Sequence, residues 1–267
     1  MTLLKLGGEL LEDAAAMQAM AAAVRKLSAK TRLVVVHGGG RAIDAALRAR
    51  GIEPAFVDGL RITDAPTLDV VVSILAGRTN TAFVAALHAA GVRAVGLTGA
   101  DAGVGVSRKA DPFRAASGAV VDLGLVGQPV ASSPTLLQDL AALGYVPVVA
   151  SIGVDEDGGL LNVNADTLAA HLAATIRAER LIVAGGTPGV LDAGGAPIEV
   201  LTLEQVDGMI GSGVAHSGMV AKLAACRDAL LKGVDEVSIV SGRGTTDFDT
   251  VPGTTIRRIA APAPSLG

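Results

Sequence analysis

The segment Asn162-Val163-Asn164-Ala165-Asp166 places three small polar side chains in a chain that is 50% apolar. It follows Tyr145-Val146-Pro147-Val148-Val149, which reads as a buried strand, and precedes Thr167 to Ala174, which reads as a helix. In an open α/β sheet, ligands sit just past the carboxyl ends of strands, where this segment falls. The plain alternative makes Asp166 a helix N-cap and the asparagines turn residues. Two lysines are also oddly placed. Lys5 closes the first strand beside Gly7-Gly8, and Lys222 follows the helix start at Ser217-Gly218-Met219. The positive end of a helix dipole disfavours a cation there by a few tenths of a kcal/mol. Arg61, in Asp58-Gly59-Leu60-Arg61-Ile62-Thr63-Asp64, could grip a carboxylate through two parallel hydrogen bonds, or make a loop salt bridge to Asp58 or Asp64.

Three glycine-rich turns follow strand-like runs: Leu6-Gly7-Gly8, His37-Gly38-Gly39-Gly40 and Gly185-Gly186-Thr187-Pro188-Gly189. Backbone N–H groups in such turns approach anions closely. None matches GxxxxGK[ST] or GxGxxG, so neither a Walker loop nor an ordinary dinucleotide fingerprint is present. His37 is read as ordering its loop by hydrogen bonding. His88, His171 and His216 read as helix or helix-start residues without metal-ligand spacing. Without a GxSxG elbow or a Cys/His cluster, covalent hydrolysis has no support.

Strands and helices must position these groups, and the pattern alternates accordingly. Leu33–Val36, Ala94–Leu97, Val146–Ala150, Leu181–Val183 and Val237–Val240 read as strands, with helices over 42–50 and 167–178. Such alternation implies a mainly parallel sheet covered by helices on both faces. The Gly- and Val-rich stretch 104–130 suits hairpins attached to that sheet. At 267 residues the chain suits one sizeable α/β domain, and 2% aromatics leave no base-stacking platform. Net charge −4 with scattered Lys and Arg argues against nucleic acid as a partner. Uncharged stretches such as Leu123–Gln138 are broken by Gly and Pro, and none reads as a membrane span. No signal peptide is evident, and the single Cys226 fits a buried helix face. The expectation is a soluble cytoplasmic protein.

In order, Lys5-x-Gly7-Gly8, His37-Gly38-Gly39-Gly40, Gly59-Leu60-Arg61-Ile62-Thr63, Asp122-Leu123-Gly124-Leu125-Val126-Gly127, Asn162 to Asp166 and Gly218-Met219-x-x-Lys222 resemble the amino acid kinase family, in particular its acetylglutamate branch. The likeness runs from residue 2 to about 259. It implies a three-layer αβα sandwich with an open, mainly parallel sheet of the carbamate kinase-like kind. One domain over 1–267 is expected, with an acyl-substrate lobe over about 1–165, a nucleotide lobe over about 166–260 and a frayed tail at 261–267. The implied reaction is ATP-dependent phosphorylation of the side-chain carboxylate of N-acetyl-L-glutamate, a step of arginine synthesis. The resemblance makes Lys5 and Lys222 flank the phosphoryl group in flight and makes Asp166 hold both lysines. It gives Gly39, Gly40, Arg61, Asn162 and Asn164 to the acyl substrate. Gly7, Gly8, Gly185, Gly186, Gly189, Gly218 and Met219 go to the nucleotide. Mg²⁺ would ride on ATP without a dedicated protein ligand.

A carboxylate acceptor is already ionised at neutral pH and needs no general base, which fits the absence of a catalytic histidine. One departure stands out: Gly185-Gly186-Thr187-Pro188-Gly189 lacks the aspartate that the family's corresponding loop carries, which puts the nucleotide contacts in question. One methylene changes discrimination by only about 1–3 kcal/mol, so a kinase for N-acetyl-α-aminoadipate or another acylated amino acid is an alternative, as is a non-catalytic binder. Only Met1 precedes the first strand. The resemblance then implies a homodimer that arginine does not inhibit, because arginine-sensitive hexameric relatives use an additional N-terminal helix. Val70–Ala90 is the candidate apolar face for the dimer.

Overall fold

The computed structural model describes residues 1–115, 117–192, 194–212 and 217–258. His216 and the tail from residue 261 lie outside them. The chain opens with β1 (Thr2–Leu6), a 3-10 turn (Gly8–Leu10), α1 (Ala14–Ser28), β2 (Leu33–His37) and α2 (Gly40–Arg48). The hairpin β3 (Phe56–Val57) and β4 (Leu60–Arg61) leads into α3 (Ala65–Val72), a π-helical turn (Ser73–Thr79) and α4 (Asn80–Ala89). Next come β5 (Ala94–Thr98), β6 (Ser107–Lys109), β7 (Phe113–Arg114), β8 (Val120–Val121), β9 (Val126–Pro129) and α5 (Thr135–Ala142). β10 (Val146–Ala150), β11 (Ile152–Val154), β12 (Leu160–Val163) and α6 (Ala165–Thr175) complete the middle of the chain. The last part holds β13 (Arg180–Gly185), β14 (Val200–Thr202), α7 (Leu203–Ser212), α8 (Ser217–Leu231), β15 (Glu236–Ser241) and β16 (Gly253–Arg257).

Eight strands form one sheet in the order β14-β16-β15-β13-β1-β2-β10-β5, parallel except where β16 runs against β15. Successive side chains of β1 point to opposite faces. Leu4 and Leu6 pack with Met20, Val24 and Leu27 of α1 and Phe83 of α4. Leu3 packs with Leu168 and Leu172 of α6 and Leu223 of α8. By the same alternation Lys5 shares the face of Leu3, towards α6 and α8, and this one-residue register decides where its ammonium goes.

Close backbone approach explains the paired glycines at the strand ends. A Cβ on Gly8 would lie 2.5 Å from the Gly39 Cα, so the turns after β1 and β2 can stack only without a side chain there. His37, fully buried at the end of β2, faces the other side. Its Nδ1 lies 3.1 Å from the Gly38 carbonyl and its Nε2 lies 3.1 Å from Asn80 Nδ2, which also donates to the Val148 carbonyl at 2.9 Å. Burial pushes the His37 pKa down to about 4, so the ring is a neutral brace at ordinary pH.

One expectation needs correction. Residues 104–130 pair antiparallel, as hairpins do, but do not join the main sheet: β6 and β9 join β11 and β12 in a separate four-stranded sheet, and among the described residues β7 pairs with β8 alone. The helical stretch Ala65–Ala89 is 25 residues long with mean hydropathy 1.6, long and apolar enough by length and composition to cross a membrane. Its helix runs unbroken through Gly77 by way of the π turn, a feature that no local sequence signal announced. Val70, Val71, Leu75, Phe83 and Leu87 tie it into the core, although only 39% of its apolar window is buried.

Replacing Asn80 by Ala would leave the Val148 carbonyl and His37 Nε2 buried without their donor. Urea denaturation should show a loss of about 1–3 kcal/mol; an unchanged midpoint would mean that the brace contributes nothing.

Candidate active site

Strand β1 and helices α6 and α8 bring three charges together from opposite ends of the chain. Lys5 Nζ lies 2.8 Å from Asp166 Oδ1, and Lys222 Nζ lies 3.3 Å from the same oxygen and 3.4 Å from Oδ2. The side chains are only 8%, 12% and 14% exposed for Lys5, Asp166 and Lys222. Asp166 is free for this because Asn164, not Asp166, caps α6: its Oδ1 accepts from the N–H groups of Asp166 and Thr167 at 2.9 and 3.1 Å.

Burial alone would raise the Asp166 pKa, but the two ammonium groups outweigh it and hold the carboxyl down at about 2. For Lys5, burial wins and lowers the pKa, helped by the neighbouring charge of Lys222 and opposed by Asp166. Burial also acts to lower Lys222, yet Asp166 leaves it raised. The opposite directions follow depth, since Lys5 sits on the central strand and Lys222 nearer the surface. The two cations and one carboxylate carry a net positive charge among themselves, which the nearby Glu9 carboxylate acts to offset.

Two cavities meet at this cluster. The smaller, of about 220 Å³, is bounded by Lys5, Gly39, Gly40, Arg61, Asn162 and Asp166. Gly7 and Gly8, which the resemblance assigned to the nucleotide, line this smaller cavity instead. Arg61 belongs to β4 rather than to a loop, and the carboxylate it grips comes from a separate helix. Its Nη2 donates to Asp44 Oδ1 on α2 at 2.6 Å, while Asp64 caps α3 by accepting from the Thr67 N–H. Arg61 Nη1 is buried without a hydrogen-bond partner among the described residues, a donor left for a bound acceptor. Asn162 Nδ2 donates to Thr63 Oγ1 at 3.0 Å, which ties β12 to the segment after β4.

The second cavity, of about 1040 Å³, is lined by Gly185, Gly186, Gly189, Gly218, Met219 and Lys222. Glu9, Arg41 and Arg243 also line it, and sequence reasoning passed over all three. Arg243 was legible: Ser241-Gly242-Arg243-Gly244 follows β15 and is a fourth glycine turn at a strand carboxyl end. Asp44, the partner of Arg61, carried no such signal. Cys226 is buried in α8, where burial pushes its thiol up to about 12 and makes it an inert packing residue.

The fold is that of an α/β protein with a mainly parallel sheet, and residues 1–241 match the amino acid kinase family, to which the chain belongs. An acetylglutamate kinase of Methanoculleus marisnigri is 40% identical over 246 residues, 90% of this chain and 84% of its own length. That of Geobacter sulfurreducens is 41% identical over 244 residues, again 90% and 84%. Among solved structures, a Streptococcus mutans protein superposes with a TM-score of 0.82 at 25% identity, covering 97% of this chain and 98% of its own. Within its family the chain groups with the acetylglutamate kinases.

The charge cluster also governs acid stability. Because the folded Asp166 pKa of about 2 lies below the ordinary aspartate value of 3.8, its contribution is present above pH 3.8 and is lost as pH falls towards 2. Chemical denaturation from pH 5 to pH 2 should show wild type losing about 2 kcal/mol more than Asp166→Asn; identical pH profiles would show that the cluster does not stabilise the fold.

Proposed function

We propose that the chain transfers the γ-phosphoryl group of ATP to the side-chain carboxylate of N-acetyl-L-glutamate, in arginine biosynthesis. The carrying observation is Asp166 holding Lys5 from the first strand and Lys222 from α8 at the junction of the two cavities. Transfer to a carboxylate brings two anions together, so catalysis rests on positioning and charge stabilisation. Asp166 aims the ammonium groups of Lys5 and Lys222 at the oxygens of the phosphoryl group in flight, and is not required to take a proton. The glycine turns after β1 and β2 add backbone N–H dipoles.

In this reading the smaller cavity takes the acyl substrate. Arg61 grips its α-carboxylate, with the unpartnered Nη1 as one donor, and Asn162 lies within reach of the acylamino group. The larger cavity takes the nucleotide, with Arg243 supplying positive charge beside Gly186. The first half of the chain then holds the acceptor and the second half the donor. Mg²⁺ in this reading enters the larger cavity with the nucleotide. When bound, it would neutralise charge on the phosphate oxygens.

The chain is further proposed to act as a homodimer. The half-covered helix Ala65–Ala89 and the edge strand β5 present an apolar helix face next to an unpaired strand edge, a surface that association would cover.

Lys5→Ala and Lys222→Ala should each lower kcat at least about a hundredfold, near 2.7 kcal/mol, with smaller changes in KM. Arg61→Ala should act chiefly through KM for the acyl substrate, because its contact exists in ground and transition states alike. Steady-state ADP release separates the two patterns, and a lysine variant with unchanged kcat would remove that lysine from the mechanism. Light scattering should give a dimer for wild type and a monomer for Ala85→Glu, whose charge falls on the exposed side of α4; a dimeric variant would place the interface elsewhere.

A further inference from the structure

Glu9 is the acidic residue that lines both cavities. It sits in the 3-10 turn that follows β1, anchored by the buried Leu10 and Leu11. Its carboxylate folds back over Gly7 and beside Gly185, and Oε1 accepts from the Gly186 N–H at 2.7 Å. Oε2 has no donor among the described residues.

The other carboxylates on the cavity walls are committed. Asp166 holds two lysines. Asp192 Oδ1 closes its own turn, accepting from Gly194 and Ala196 at 2.8 and 2.9 Å. The Glu9 charge acts on both Lys5 and Lys222, but its Oε2 takes no hydrogen bond among the described residues and lies where the nucleotide phosphates must enter if the larger cavity is the nucleotide site, the reading on which this inference rests. A carboxylate facing phosphates repels them unless a cation lies between the two. Mg²⁺ meets that need: it keeps several waters and is held by one or two carboxylates together with phosphate oxygens.

We propose that Glu9 is the protein's own ligand for the divalent cation that accompanies the nucleotide, binding it at the junction of the two cavities. The Gly186 N–H holds Oε1 and leaves Oε2 as the oxygen that would take the ion. This contact joins the turn after β1 to the loop after β13. The competing role is an anionic placeholder that the nucleotide expels.

The test measures binding of a non-hydrolysable ATP analogue to the full chain, with Mn²⁺ and in EDTA, for wild type and Glu9→Gln. The glutamine keeps an oxygen for the Gly186 N–H, and unfolding curves check that the fold is intact. Wild type should bind the analogue at least about tenfold more tightly with Mn²⁺ than without, and Glu9→Gln should lose most of that enhancement while its affinity in EDTA is equal or higher. Electron paramagnetic resonance of Mn²⁺ in the ternary complex should report the weakened ion directly. A full Mn²⁺ enhancement in Glu9→Gln, with tighter binding in EDTA, would overturn the proposal and make Glu9 a placeholder. Wild type failing to bind the analogue under either condition would overturn the assignment of the cavity itself, and this proposal with it.

Discussion

The structure depends on one arrangement, a buried carboxylate shared by two buried lysines. Removing charges from water is costly, and a cluster of this kind survives because each group is matched: Asp166 satisfies Lys5 and Lys222, which in turn hold it ionised. The match requires Lys5 to occupy an odd register position on β1, facing α6 and α8 with Leu3, and Asp166 to be spared from capping by Asn164. Three separate features of the chain, a strand register, a cap and the place of α8, must agree before the cluster forms. The cluster lies where the two cavities meet.

Much of the fold was legible because its pattern is strong. The apolar runs of β2, β5, β10, β13 and β15 are short and bounded by glycine or polar residues, and the helical period between them is clear. Residues 104–130 were harder: strands of two to four residues carry too little periodicity to say which sheet they join. The apolar stretch Val70–Ala90 was legible as a unit, but the π turn at Ser73–Thr79 that carries the helix through Gly77 has no local sequence signature.

At the site, residue types out of place were the useful signal. Lys5 in an apolar strand, Lys222 near a helix start and the Asn162–Asp166 cluster each looked expensive by themselves, and the structure brings Lys5, Lys222 and Asp166 into contact. What stayed hidden was pairing. Arg61 meets Asp44 from a separate helix, and Glu9 meets a backbone N–H from a loop 177 positions away. Contacts of this kind depend on how loops stack at the sheet edge, which no local pattern encodes. Glu9 in particular reads as an ordinary polar residue after a glycine pair until the stacking of those loops places it between two cavities.

If the charge cluster drives phosphoryl transfer to a carboxylate, the product is an acyl phosphate, a species that hydroxylamine intercepts. Incubation with ATP and N-acetyl-L-glutamate in the presence of hydroxylamine should trap it as the hydroxamate, in step with ADP release, and Lys222→Ala should lower both at least about a hundredfold. ADP release without hydroxamate, or no turnover with any acylated amino acid tried, would rule out this chemistry for the cluster.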